Sequence, residues 1–168
     1  MDNGSSNQSI ESRPPSTEDL VRLCKSLNGK NVKYIVIGGI AMINAGLTRA
    51  TVDIDLLIEP SIENFEKLRN ALMYLPDKAV NELTPDDINN YMVIKVADEI
   101  VIDLMKSACG ISYDEGRSNI INVKLKDIEI PFADIDLLYK TKQTLREKDK
   151  IDRLFLEEII RKRNLKKK

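Results

Sequence analysis

The sequence predicts an α+β fold. Three observations lead there: the apolar strand Tyr34–Ile37 sits between two helix-patterned stretches, residues 91–105 read as two strands in a hairpin, and residues 134–163 read as helix. Thr17 before Glu18-Asp19 is a plausible cap, and Leu20, Leu23, Cys24 and Leu27 recur at helical spacing up to Asn28-Gly29. After the strand Tyr34–Ile37, residues 39–45 form a short helix ended by Gly46, and residues 53–59 a second strand. Ser61 then caps a helix over residues 62–75, with Phe65, Leu68, Leu72 and Leu75 as its apolar stripe. Residues 91–96 and 99–105 are strands joined by a tight turn at Ala97-Asp98. Residues 120–123 and 128–130 are short strands around a polar turn, the second ended by Pro131, and the C-terminal helix is broken near residues 146–149.

At 168 residues the chain suits one domain with a sizeable core. Residues 1–16 are polar and carry one aliphatic side chain, Ile10, so they are expected to be a disordered tail. The net charge of −1 hides an asymmetry: residues 140–168 hold twelve Lys/Arg against five Asp/Glu, leaving about −8 on the rest. The Lys-rich end, residues 161–168, is expected to fray as a basic tail. No apolar run approaches a membrane span and the start lacks signal-peptide character, which leads to the expectation of a soluble, cytoplasmic protein with no membrane partner. Cys24 and Cys109 are too few for a disulfide framework, and both are expected to be buried thiols.

The sequence contains no histidine. Ser-His-Asp and Cys-His nucleophilic sites, His-ligated zinc and any His general base are therefore excluded. Acid–base work must fall to carboxylates, Lys or Tyr. In Arg49-Ala-Thr-Val-Asp-Ile-Asp-Leu-Leu-Ile58, strand alternation puts Asp53 and Asp55 on one face, and Ile54, Leu56 and Ile58 on the other. Two adjacent carboxylates repel each other, and a hard, oxygen-seeking cation, Mg²⁺ or Mn²⁺, makes the pair favourable. Asp103 lies late in a third apolar strand, where a carboxylate needs a partner or a metal.

The series of strand, Gly38-Gly39, thirteen residues, Asp53-Ile-Asp55 and a later acid in an apolar strand resembles the nucleotidyltransferase superfamily with the polymerase-β-type catalytic fold. Within it, residues 31–158 resemble small bacterial stand-alone proteins related to AbiEii and MNT-type toxin–antitoxin domains. The Lys, Arg, Lys-Asp and Asp series of Leu137-Leu-Tyr-Lys-Thr-Lys-Gln-Thr-Leu-Arg-Glu-Lys-Asp-Lys-Ile-Asp152 is similar to the C-terminal series of those proteins. The resemblance implies a nucleotidyltransferase-like mixed sheet packed against helices, with C-terminal helices, as one domain over residues 17–160. It implies Asp53, Asp55 and Asp103 as metal ligands and catalytic residues, and an NTP as substrate. Gly38 and Gly39 would let backbone approach phosphate, and Lys142, Arg146 and Lys140, on one stretch of helix, would contact the triphosphate.

Each feature also has a plainer reading. Asp-x-Asp occurs in metal-dependent glycosyltransferases and phosphatases. Gly38-Gly39 also serves as a simple strand-to-helix turn, and Arg49 either contacts phosphate or supports its loop. Residues 140–152 also fit a solvated face, with Asp149 and Asp152 orienting its basic residues. The expected function is metal-dependent transfer of an NMP to an acceptor hydroxyl on tRNA, a protein or a small molecule, alongside a cognate toxin or antitoxin partner. The alternative is an inactive module of the same fold that binds nucleotide or a partner protein; Thr51-Val precedes Asp-x-Asp here, where MNT-like domains carry Ser.

Overall fold

The computed structural model describes residues 11–168. Residues 1–10, most of the expected tail, lie outside the described residues. In chain order the elements are α1 (Thr17–Gly29), β1 (Tyr34–Ile37), α2 (Gly38–Asn44), β2 (Asp53–Ile58), α3 (Ile62–Leu72), α4 (Pro85–Asn90), β3 (Val93–Ala97) and β4 (Val101–Met105). A small hairpin, β5 (Ser107–Ala108) and β6 (Ile111–Ser112), leads to α5 (Tyr113–Gly116), β7 (Ile120–Leu125), β8 (Ile128–Ala133), α6 (Ile135–Thr141) and α7 (Glu147–Lys166). The architecture is the expected α+β one, a mixed sheet packed against helices.

The main sheet has the order β3-β4-β2-β1-β8-β7. β1 runs antiparallel to β2, β2 parallel to β4, and β4 antiparallel to β3, so the centre is mixed. Registers place Val36 opposite Leu56, Ile54 opposite Ile102, Leu56 opposite Leu104, and Val96 opposite Ile102. Strand alternation makes these one apolar face, buried in a single core with Leu23 and Leu27 of α1 and Phe65 and Leu68 of α3. The opposite face carries, in one row, Lys95, Asp103, Asp55 and Ile37.

Polar locks set the helices on this sheet. Ser16, rather than the expected Thr17, caps α1: it accepts from the Asp19 backbone N–H while Asp19 accepts the Ser16 N–H. Arg13 forks onto the same carboxylate at 2.6 and 2.9 Å, and its backbone N–H donates to the Glu99 carbonyl, so residues 13–16 are tied to the β3–β4 turn. The Asn64 side chain accepts the Lys33 N–H and donates to the Lys33 and Glu59 carbonyls, fixing α3 against the start of β1 and the end of β2. Buried Asp98 accepts the N–H groups of Asp77, Ala79 and Glu99, stitching the 3₁₀ turn at Ala79–Glu82 to the β3–β4 turn.

Four local expectations are corrected. β8 runs through Pro131 to Ala133; its pairing with β1 is registered at Val36 and Phe132, so Pro131 precedes that contact, where a missing N–H costs little. The β3–β4 turn spans three residues, with Ala97 opposite Val101, instead of two. α7 continues as helix to Lys166, through most of the stretch expected to fray. Cys24 is buried as expected, but Cys109 is exposed. No helix among the described residues is long and apolar enough to cross a membrane.

Replacing Asp98 by Ala leaves three N–H donors without their carboxylate, and the expected loss in urea unfolding is about 3 kcal/mol. A second outcome concerns pH. Arg13 holds the Asp19 carboxyl well below its ordinary value of 3.8, so the unfolded chain takes up the proton first. The stability from this contact is complete above that ordinary value and is lost as pH falls below it. The Tm gap between wild type and Asp19→Ala should be widest near about pH 6 and shrink toward about pH 2.5.

Candidate active site

Asp53 and Asp55 open β2, and the parallel register with β4 sets Asp55 directly opposite Asp103. One carboxylate oxygen from each of the three lies within 4.8 Å of the others. Asp103 is buried, only 7% exposed, while Asp53 and Asp55 are partly buried. Burial, followed by the charges of Asp53 and Asp103, pushes the Asp55 carboxyl up to about 7, with Lys142 opposing. Asp53 is raised as well, by burial and then by Asp103. The anionic triad is therefore short of positive charge.

The two glycines shape its wall. β1 ends opposite the start of β2, with Ile37 facing Asp55, so Gly38 follows directly beside the triad. Gly38 has φ +69°, and a Cβ there would stand 1.9 Å from Asp55 Oδ2. A Cβ on Gly39 would lie 2.9 Å from Thr51 Oγ1, the hydroxyl that donates to the Asp53 carbonyl. Gly38 is thus required by the close approach of Asp55, and Gly39 leaves room for Thr51, demands the plainer turn reading does not carry.

The predicted basic residues separate into different roles. α6 ends at Thr141, Lys142 is its C-cap, and Arg146 is the N-cap of α7, so Lys140, Lys142 and Arg146 do not share one helix. Lys142 is buried, 2.9 Å from Asp152 and 3.4 Å from Asp149. Arg49 Nη1 donates to both oxygens of Asp152 at 2.7 Å, tying its loop to α7, while its Nη2 is buried with no hydrogen-bond partner among the described residues. Arg146 Nε donates to Asp149 at 2.9 Å, yet its side chain is 71% exposed. The Asp149 bond above all, then Asp55 and Asp53, raises the Arg146 pKa. Burial works against the Asp149 carboxylate, but Arg146, Thr144 and Lys142 together hold it below its ordinary value. Lys140 is exposed on α6, and its charge acts on Asp136.

Two participants escaped sequence reasoning. Lys95 Nζ donates to Asp103 Oδ1 at 2.8 Å, directly across the β3–β4 ladder. Arg153 Nη1 donates to the Lys142 and Thr144 carbonyls, clamping the loop that carries the buried lysine. Asp152, expected to orient the basic residues, is the shared anion of Arg49 and Lys142. The signal for Lys95 lay in the hairpin: a three-residue turn pairs it with Asp103, whereas the two-residue turn pairs it with Ile100.

The donor set is all oxygen and anionic, and it suits a hard divalent cation such as Mg²⁺ or Mn²⁺. No protein-family model matches the chain, and no curated protein matches it. A solved structure does: a protein of Thermotoga maritima, provisionally assigned as a nucleotidyltransferase, is 14% identical, with 89% of this chain and 92% of that chain covered at a TM-score of 0.53. The likeness establishes a nucleotidyltransferase-like fold.

Because its ionised form is disfavoured, Asp55 destabilises the metal-free protein. Asp55→Asn should raise Tm in chelator near about pH 8 by a few degrees, on the order of 1 kcal/mol, and abolish any further rise on adding Mn²⁺.

Proposed function

We propose that the chain is a metal-dependent nucleotidyltransferase that moves an NMP from an NTP to an acceptor hydroxyl. The observation that carries this reading is the convergence of Asp53, Asp55 and Asp103 within 4.8 Å, against a glycine turn that admits no side chain. Asp53, Asp55 and Asp103 would hold a divalent cation, which would neutralise charge at the α-phosphate and acidify the attacking hydroxyl. The acceptor oxygen–phosphorus bond forms as the bond to pyrophosphate breaks. Asp103, the most buried of the three carboxylates, would take the hydroxyl proton. Arg146, with its exposed guanidinium beside the triad, is the basic group placed to meet the triphosphate. Lys142 and Arg49 act indirectly, by holding α7 and the loop before β2 in place.

The acceptor is a hydroxyl of RNA, of a protein side chain or of a small molecule. The resemblance to AbiEii and MNT-type domains adds the finer reading of a toxin–antitoxin or phage-defence enzyme with a cognate partner. One observation favours a second reading, a module that binds nucleotide without turnover: Lys142, expected at the nucleotide, is committed to Asp149 and Asp152.

Incubation with each α-labelled NTP, Mg²⁺ or Mn²⁺, and either total RNA or cell lysate separates the two. Label transfer should occur with at least one NTP and fall about 100-fold or more in Asp53→Ala/Asp55→Ala. Transfer that survives the double substitution refutes the mechanism, and tight nucleotide binding with no transfer to any acceptor establishes the second reading.

A further inference from the structure

The row across β3, β4 and β2 contains one cation that the proposed chemistry leaves idle. Lys95 faces Asp103 across the antiparallel ladder, and its Nζ lies 2.8 Å from Asp103 Oδ1. Among the described residues it is the one cation within ion-pair distance of any member of the triad. Lys142, Arg146 and Arg49 are bound to Asp149 and Asp152 instead. The two partners differ sharply in freedom: the Asp103 side chain is 10% exposed, whereas that of Lys95 is 59% exposed. Among the described residues β3 is an edge strand with no further strand beyond it, and a cleft of about 310 Å³ lined by Arg13, Val52, Asp53, Lys95 and Val101 opens beside it.

A divalent cation among Asp53, Asp55 and Asp103 would draw on the carboxylate that Lys95 already holds, and it would sit a few ångströms from the ammonium. Like charges at that separation repel, and the flexible, exposed partner is the one that moves. We infer that Lys95 is the resident counter-ion of the triad: it neutralises Asp103 in the metal-free protein and is displaced from Oδ1 into the adjoining cleft when a divalent cation binds. The inference rests on the reading of the triad as a metal site. It makes Lys95 a built-in competitor that sets the cation concentration at which the site fills. A lysine that merely props Asp103 in position would have the opposite effect, since its removal would loosen a ligand and weaken binding.

The two roles are distinguished by titrating the protein with Mn²⁺ alone and reading free Mn²⁺ by electron paramagnetic resonance, with no nucleotide and no turnover. Lys95→Met keeps the aliphatic stem on an exposed edge strand and removes the charge. It should bind Mn²⁺ roughly fivefold to tenfold more tightly than wild type. Lys95→Arg, which keeps the charge, should stay within about twofold of wild type. Unchanged or weaker binding by Lys95→Met overturns the counter-ion role while leaving the metal site intact. Asp53→Ala/Asp55→Ala should show no binding; if wild type behaves like that double variant, the metal reading itself fails and takes this inference with it.

Discussion

The parallel register of β2 on β4 is the constraint from which the site follows. A slip of one residue would turn Asp103 away from Asp55 and into the apolar core, because strand side chains alternate faces. The register is held from the other face, where Ile54 meets Ile102 and Leu56 meets Leu104, all fully or almost fully buried. Burial of these four side chains therefore stabilises a charge arrangement that is unfavourable in itself. The core sets the carboxylates together, and the carboxylates contribute nothing to the core.

A second buried charge system fastens the C-terminal helix. Asp149 and Asp152 lie three residues apart on α7, so they project from one side of the helix, and both are 1% exposed. Lys142, Arg146, Thr144 and Arg49 satisfy them from the α6–α7 loop and from the loop before β2. Such a network gains little net stability over an apolar seam, but any one member left alone would be costly. Its effect is geometric. It ties the loop that ends in Asp53 to α7, and so brings Lys142 and Arg146 of the α6–α7 loop within electrostatic reach of Asp55 and Asp53.

The three carboxylates were legible in the sequence because alternation and apolar flanks are local signals. The helices α1 and α3 were legible for the same reason, α1 showing leucines and Cys24 and α3 leucines and Phe65 at helical spacing. Other features depend on pairing at a distance. Nothing near Lys95 announces its partner until the turn length is known. Asp149 and Asp152 read as partners of the basic residues in their own stretch, but the further cation on Asp152, Arg49, lies about a hundred positions away. The short elements α4, β5, β6 and α5 lack the length for a periodic pattern, and Pro131 reads as a terminator unless the neighbouring strand is already in place.

The way α7 is attached bears on how the molecule breathes. Its fully buried contacts are Asp149, Asp152 and Leu156, with Phe155 half-buried, so a transient release of the helix would hydrate mostly carboxylates and their cations. Hydration of charge, unlike that of hydrocarbon, adds little positive heat capacity. The enthalpy and entropy of opening α7 therefore change little with temperature, and its free energy varies nearly linearly, where that of global unfolding follows a dome.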